Sequence, residues 1–154
     1  MKRRHMGFTM IELMVTIVVV AILAVLAIPS FVDQLARRRL EGAATDLATD
    51  LQFARSQAVS SRGDARLRTT STTSYVIDNA AGTVTYKSVS LPAGVTISNG
   101  ITVTYDHLRG AAASAQTFGL ASSQTSATMR VDVNAMGRVT LCSPSGSLKG
   151  YAAC

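Results

Sequence analysis

A single carboxylate, that of Glu12, lies within a segment whose other side chains suit a hydrocarbon environment. Apolar residues dominate this segment from Phe8 to Ile28. In a membrane helix a carboxylate costs about 2 to 3 kcal/mol near the centre and less near an end, so it is a functional candidate by default. Such a charge needs a partner. The chemistry that the pattern offers is therefore charge pairing in apolar surroundings.

The segment from residue 8 to residue 28 is long enough to cross a membrane. As a helix it is roughly 30 Å long, which matches the hydrocarbon core of a bilayer. Basic residues at positions 2–4 should stay cytoplasmic, which places residues 30–154 on the other side. Two other interpretations remain open: a secretory signal cleaved after residues 24–27, and a plain anchor in which Glu12 reaches the interface.

The run GFTMIELMVTIVVVAILAVLAIPSF resembles the N-terminus of type IV prepilins and type II secretion pseudopilins. The pattern of that family is a basic leader, a glycine at the cut, an aromatic first residue, a glutamate fifth from it and a proline further along. Gly7, Phe8, Glu12 and Pro29 occupy these positions. Met10 replaces the more usual leucine and conserves its volume. The resemblance implies that a prepilin peptidase cuts after Gly7 and methylates Phe8.

Leader removal has a direct physical consequence for this segment. Loss of residues 1–7 deletes the fixed charges that hold its cytoplasmic end, and it creates a free amine at Phe8. Methylation leaves the charge of that amine in place. In a bundle of such helices, we expect Glu12 of one subunit to pair with the Phe8 amine of its neighbour, because an unpaired charge in apolar packing is strongly penalised. Glu12 would thus set the assembly register.

Beyond Pro29, which should kink the rod, apolar residues recur at intervals of three and four. This spacing predicts that the helix continues to about Ser60 with one buried stripe. The stripe comprises Phe31, Leu35, Leu40, Ala43, Ala44, Leu47, Leu51, Ala54 and Ala58. The charged residues off the stripe should be solvated: Arg37, Arg38, Arg39, Glu41, Asp46, Asp50 and Arg55. Gly63 should end the helix in left-handed geometry.

The rest of the chain is rich in Thr, Ser, Val and Gly, and it alternates as strands do. The predicted strands are 66–70, 74–78, 83–90, 95–98, 101–105, 116–120, 129–133 and 138–142. Asn99-Gly100 predicts a hairpin between the fourth and fifth of them. Segments 111–115 and 122–128 should be surface loops. The predicted class is α+β, a long N-terminal helix packed on a small antiparallel sheet domain.

Four segments follow from these patterns. They are a leader at 1–7, a transmembrane and assembly helix at 8–28, the amphipathic second half of the helix at 29–60, and a β-rich globular domain at 61–154. Roughly ninety residues can build one modest core.

Cys142 and Cys154, the two cysteines of the chain, both lie in the exported part. A disulfide that closes the C-terminal tail is expected in an oxidising compartment. For a loop of about thirteen residues it contributes about 3 kcal/mol by chain entropy. Free thiols or a metal site are the alternatives, although no histidine near these cysteines would complete a zinc shell.

A narrower resemblance concerns the end of the chain. Gly137-Arg138-Val139, a short strand and a cysteine-closed tail are similar to the branch that holds the minor pseudopilin H of type II secretion and the fimbrial protein T of type IV pili. The resemblance implies a low-abundance subunit at the filament tip that helps to start assembly. A major pilin remains the alternative.

Nucleic acid is another candidate partner. Residues 61–154 carry eight basic and four acidic side chains, a balance of +4. Arg138 and Lys149 beside Tyr151 could contact DNA phosphates and stack one base, and some relatives capture DNA for uptake. Ordinary solubilising charge explains the same excess.

Nothing in the sequence predicts an enzyme. His5 lies in the leader, and His107 stands alone beside Asp106, which points to the other face if the run is extended. No nucleophile and base, metal cluster or phosphate-binding glycine motif is recognisable, so no cofactor is expected. The predicted location is the bacterial inner membrane, with a single pass and the C-terminal domain in the periplasm, followed by transfer into a pilus or pseudopilus.

Overall fold

A computed structural model describes residues 8–144, 146 and 148–154, without the side chains of residues 26–29. Helix α1 spans Met10–Ser61. The chain divides into two units, the first up to Gln34 and the second from Leu35 to Cys154. The predicted leader with Gly7, and the side chain of Pro29 to which the predicted kink belongs, lie outside the described part.

In the second unit, α1 is amphipathic as its spacing predicts. Seven stripe positions are at most 2% exposed: Leu40, Ala43, Ala44, Leu47, Leu51, Ala54 and Ala58. Four of the seven are alanines, whose short side chains let other elements approach the helix closely. The stripe begins later than expected, because Phe31 is 70% exposed and Leu35 is 39% exposed.

The helix ends at Ser61, close to the predicted Ser60, but the left-handed residue that follows it lies one position earlier than predicted. Arg62, not Gly63, has the left-handed backbone, with φ of 52°. The N–H of Gly63 donates to the carbonyl of Ala58 over 3.3 Å. This bond spans five residues, as in a Schellman motif, and it places the left-handed position before the glycine.

Eight strands follow α1 and form two antiparallel sheets of four rather than one sheet. They are β1 (Ala65–Ser71), β2 (Ser74–Asn79), β3 (Thr85–Ser90), β4 (Val95–Ile97), β5 (Thr102–Tyr105), β6 (Gln116–Ser122), β7 (Thr125–Val133) and β8 (Val139–Cys142). The first sheet has the order β3-β2-β1-β5 and the second has the order β4-β6-β7-β8. This architecture confirms the predicted α+β class.

The predicted hairpin at Asn99-Gly100 is wrong. Gly100 does adopt a positive φ of 76°, but β4 pairs with β6 and β5 pairs with β1, so the turn connects the two sheets. The edge of β1 captures the chain after the turn: the N–H of Thr69 donates to the carbonyl of Ile101 over 3.0 Å. A free strand edge has thus outcompeted the local pairing.

The predicted loop 122–128 is also wrong over most of its length. Residues from Thr125 onward belong to β7, and the β6–β7 ladder extends through Ala121↔Thr128 to Ser122↔Thr125. Ala127 is fully buried. Small side chains here serve a strand, because the ladder satisfies the backbone and only every second residue faces inward.

One hydrophobic cluster unites the stripe of α1 with the inner faces of both sheets. Its largest members are Tyr75, Tyr105, Phe118 and Met129, all fully buried. All members of this cluster lie between Leu40 and Leu148 in the sequence, so the second unit contains the complete core.

Candidate assembly site and surface clusters

The first turn of α1 is capped by Thr9. Its Oγ1 accepts the N–H of Glu12 over 3.3 Å, and its carbonyl accepts the N–H of Leu13 over 3.2 Å. Thr9 and Glu12 thus occupy the positions of a capping box. This pattern is visible in the sequence, but the prediction of a membrane helix did not use it. The side chain of Glu12 is exposed, and no ion pair within the described residues engages it. An exposed carboxylate at this position can pair with a cation of another chain.

Phe8 precedes this turn and is 80% exposed. Along the rest of the first unit, apolar side chains on every face of the helix are exposed, among them Ile11, Val18 and Leu23. A helix that is apolar all round needs lipid or other helices around it. In the described residues no single helical stretch meets the length and hydropathy needed to cross a membrane, whereas Met10–Val25 and Ser30–Ser61 meet them together as a bent pair.

Asp50 links α1 to the first sheet. The Tyr75 hydroxyl donates to Asp50 Oδ2 over 2.9 Å, and Lys87 Nζ lies 2.6 Å from Asp50 Oδ1. Asp50 is only 4% exposed, so the prediction of a solvated side chain is wrong. Its spacing contained the signal, because it lies three residues after Leu47 and four before Ala54 on the buried stripe. Burial and the neighbouring carboxylate both raise the pKa of Tyr75.

A second buried carboxylate, Asp78, binds two arginines of β1. Arg66 Nε and Arg68 Nε donate to its carboxylate oxygens over 2.7 and 2.9 Å. Burial alone would raise the pKa of Asp78, but the hydrogen bonds from both arginines outweigh it and hold the pKa below its usual range. The alternation of β1 explains the geometry, since Arg66 and Arg68 share the face opposite the core.

Two glycine-containing segments meet the C-terminal end of α1. Gly110 and Gly137 have positive φ values of 62° and 75°. A Cβ on Gly137 would lie 2.5 Å from the carbonyl oxygen of Gly110 and 3.3 Å from Arg55 Nε. Only glycine permits this approach. The hydroxyl of Tyr105, buried beneath, has no hydrogen-bond partner among the described residues, and burial raises the pKa of Tyr105 to about 12.

The C-terminal tail folds back on β8. A disulfide joins Cys142 and Cys154, and the N–H of Ser143 donates to the carbonyl of Ala152 over 2.9 Å. Leu148 is 3% exposed and belongs to the core, while Tyr151 packs against it. The ring of Tyr151 is therefore partly used in packing.

Arg138 lies at the other end of β8 from this tail. It is exposed and lines a surface concavity of about 510 Å³ together with Arg130, Asp132 and Thr117. Lys149 is not among the residues that line the described concavity. The backbone from Arg138 to Cys142 is about 13 Å long at roughly 3.3 Å per residue. Arg138 and the pair Lys149 and Tyr151 thus approach different ends of the strand.

His107 does not stand alone as expected. Its Nδ1 lies 2.7 Å from Asp64 Oδ1 and 3.6 Å from Asp106 Oδ1, and its backbone N–H also donates to Asp64. The His107 side chain holds the pKa of Asp64 below its usual range, chiefly through the hydrogen bond. Asp64 follows the end of α1, so these contacts fasten the segment after β5 to the helix end. The sequence separation of 43 residues concealed the pair.

Residues 43–137 match the family model described as type II transport protein GspH. That match extends over more than half of the chain. The chain belongs to the GspH family. A second model, the prokaryotic N-terminal methylation motif, matches residues 2–28. No curated protein sequence matches significantly.

Two solved structures share the fold of this GspH-family chain. The type IV minor pilin FimU of Pseudomonas aeruginosa is 22% identical, with a TM-score of 0.58 over 68% of this chain and 89% of FimU. The minor pseudopilin EpsH of the type 2 secretion system of Vibrio cholerae is 14% identical, with a TM-score of 0.56 over 69% of this chain and 98% of EpsH.

The two family models divide the predicted site residues. Gly7, Phe8 and Glu12 lie within the methylation motif, which ends just before Pro29. The GspH match ends at Gly137. Arg138, Lys149, Tyr151 and both cysteines therefore lie beyond it.

Proposed function

We propose that this GspH-family chain is a minor pilin or pseudopilin that is cut after Gly7, methylated at Phe8 and built into a type IV pilus or a type II secretion pseudopilus. The observation that carries the proposal is one chain with two matches, a methylation motif at 2–28 and a GspH domain at 43–137. The role is assembly. Its partners are a prepilin peptidase and other filament subunits.

Before assembly the chain is an inner-membrane protein with a single pass. The basic residues at positions 2–4 stay cytoplasmic, and the domain after residue 61 lies in the periplasm. The exposed apolar surface of the first unit then exchanges lipid for the helices of neighbouring subunits. As a minor subunit the chain acts at the filament tip, where it helps to start assembly.

Glu12 supplies the specificity of that exchange. Its carboxylate pairs with the amine of Phe8 on a neighbouring subunit, since a buried charge without a partner is strongly destabilising. Thr9 Oγ1 accepts the backbone N–H of Glu12, so loss of the carboxylate leaves this cap in place. The helix start and the charge pairing are therefore separable by mutation.

Substitution of Glu12 by Ala tests this mechanism. We expect cleavage after Gly7 to be normal. Incorporation into filaments, or methylation of Phe8, should fall at least tenfold, which corresponds to about 1.4 kcal/mol. Mass spectrometry of the N-terminus and immunoblotting of sheared filaments measure both. Glu41→Ala, which removes a carboxylate elsewhere on α1, is the matched control. Normal incorporation and methylation of the Glu12 variant would contradict the pairing mechanism.

Capture of DNA is a second candidate function, favoured by the exposed side chain of Arg138, which has no ion pair among the described residues. Duplex binding by a fragment from about residue 36, measured across salt before and after Arg138→Ala and Lys149→Ala, tests it. Phosphate contacts predict binding that weakens steeply with salt and further in the variants. If the fragment does not bind the duplex, or if its binding does not depend on salt, this hypothesis is wrong.

A major pilin is the remaining alternative, and it predicts that the chain is the most abundant filament subunit.

A further inference from the structure

We propose that the C-terminal end of α1 carries a docking surface for an acidic protein subunit of the same filament. The surface, here named the helix-end patch, consists of Val59, Leu108, Arg109, Met136 and Arg138. Its three apolar members are 50%, 78% and 75% exposed, respectively. From residue 35 onward, the other exposed large apolar side chains among the described residues are Leu35 and Val84. Apolar exposure is therefore concentrated at this end.

The members of the patch belong to three segments that lie against one another. A Cβ on Gly110 would lie 3.5 Å from Val59 Cγ2, and a Cβ on Gly137 would lie 2.5 Å from the Gly110 carbonyl oxygen. The N–H of Ala112 donates to the carbonyl of Ala135 over 3.1 Å. The segment after β5 and the β7–β8 turn are thus joined to each other and to the helix, each with one exposed apolar side chain.

Internal hydrogen bonds hold the two segments in shape. In the first, the N–H of Gly110 donates to the carbonyl of Asp106 over 2.8 Å, and the N–H of Asp106 donates to the carbonyl of Ala111 over 2.9 Å. In the second, the N–H of Gly137 donates to the carbonyl of Asn134 over 2.9 Å. A surface that is ordered in advance loses little conformational entropy on binding.

Charge indicates the nature of the occupant. Arg109 and Arg138 are exposed and have no ion pair among the described residues, whereas the nearby Asp64 and Asp106 both contact His107. One histidine offsets at most one of these carboxylates, but Arg55, whose Nε would lie 2.9 Å from a Cβ on Gly110, adds a third cation. Positive charge therefore exceeds negative charge around the apolar side chains. A second copy of this chain would present the same basic patch and, with a net side-chain charge of +3 after loss of the three leader cations from the full-length +6, would be repelled. The complementary partner presents carboxylates around an apolar side chain.

The side chains favour a protein over single-stranded nucleic acid as that partner. Single strands bind to positive grooves with exposed aromatic rings, and the patch has none, since Tyr105 beneath it is fully buried. An apolar centre with a charged rim is instead the usual anatomy of a protein interface.

The inference rests on the proposed function, because its partner is a filament subunit. A photo-crosslinking amino acid in place of Leu108 or Met136 tests it in the full-length chain, produced in the cells from which the gene comes. Val84, also 50% exposed, is the matched control position. We expect adducts at 108 and 136, absent at 84, with a pilin-class protein whose crosslinked peptide is rich in Asp and Glu. Arg109→Glu with Arg138→Glu should lower the yield at least tenfold, and an Asp or Glu changed to Lys in that peptide should restore it.

Four results would overturn the inference: no adduct at 108 or 136, equal yield at 84, adducts with nucleic acid, or adducts with a second copy of this chain. N-terminal mass and filament fractionation in the same cells separate this failure from a wider one. A processed chain in filaments without these adducts refutes the patch and leaves the proposed function standing. An unprocessed chain that is absent from filaments refutes the proposed function, and the patch proposal with it.

Discussion

Asp50 shows how one side chain joins α1 to the β-rich domain. Its carboxylate accepts a hydrogen bond from the fully buried Tyr75 and forms an ion pair with Lys87. The Lys87 side chain is 47% exposed, so the tyrosine bond, hidden from water, is the stronger contributor. The prediction of a solvated Asp50 grouped it with the charged residues off the apolar stripe, although its spacing places it on that stripe. Its position on the apolar stripe was the better guide, because a helix face is buried as a whole.

Substitution of Asp50 by Ala should lower the free energy of unfolding by about 2 to 3 kcal/mol, because it leaves a buried hydroxyl without an acceptor. Urea unfolding of the fragment 35–154, which contains the complete core, measures the change. Asp46→Ala, which removes an exposed carboxylate one turn earlier, should cost less than about 0.5 kcal/mol. Equal effects of the two substitutions would show that Asp50 does not form this link.

At the scale of elements, local sequence patterns predict where the helix and strands form, but they do not predict which strands pair. The helix from Leu40 to Ala58 follows its three-and-four spacing, and each of the eight strands overlaps a segment where alternation predicts one, because periodicity reports burial directly. β7 begins at Thr125, inside a predicted loop. Strand partners do not follow from local signals. Asn99-Gly100 makes its turn, yet β1 and β6 offer edges that take β5 and β4 into separate sheets. The contact of His107 with Asp64 was hidden for the same reason.

The meeting of Gly137 with Gly110 gives a prediction for the segments at the helix end. Gly137→Ala should destabilise the domain by about 2 kcal/mol more than Gly100→Ala. Both glycines have φ near 75°, but a Cβ on Gly137 strikes the Gly110 carbonyl, while a Cβ on Gly100 meets nothing within 4 Å. The left-handed backbone alone costs about 1 to 2 kcal/mol. Thermal unfolding of the two variants side by side is the measurement, and equal losses would refute the close contact.

The tail behaves as one element fastened at both ends. Replacing Cys142 and Cys154 together by Ser should cost about 3 kcal/mol, mainly through greater freedom of the unfolded chain. Reduced and non-reduced peptide masses establish the bridge, and urea unfolding measures its effect. Leu148 anchors the tail independently of the bridge, so Leu148→Ala in the oxidised chain should cost about 2 to 4 kcal/mol. A double serine variant as stable as the parent would contradict a structural role for the disulfide.

At the scale of the whole molecule, the surfaces of the two units differ in polarity. The first exposes apolar side chains along its helix, whereas the second encloses its core and carries most of the charged residues outside the leader. This division suits a subunit that stores its assembly segment in a membrane and presents a folded domain beyond it. The assembly role of the first unit could be predicted from Gly7, Phe8 and Glu12, because these residues form a motif within a few positions of one another. The helix-end patch could not be predicted, because its members come together only when distant segments of the chain fold against one another.

The measurement that tests this account most directly is the intact mass of the chain recovered from membrane and sheared-filament fractions of its own cells. We predict a chain that begins at Phe8, carries one added methyl group on that amine and is found with pilus or pseudopilus subunits. A chain that keeps Met1 and associates with no fibre would contradict the account.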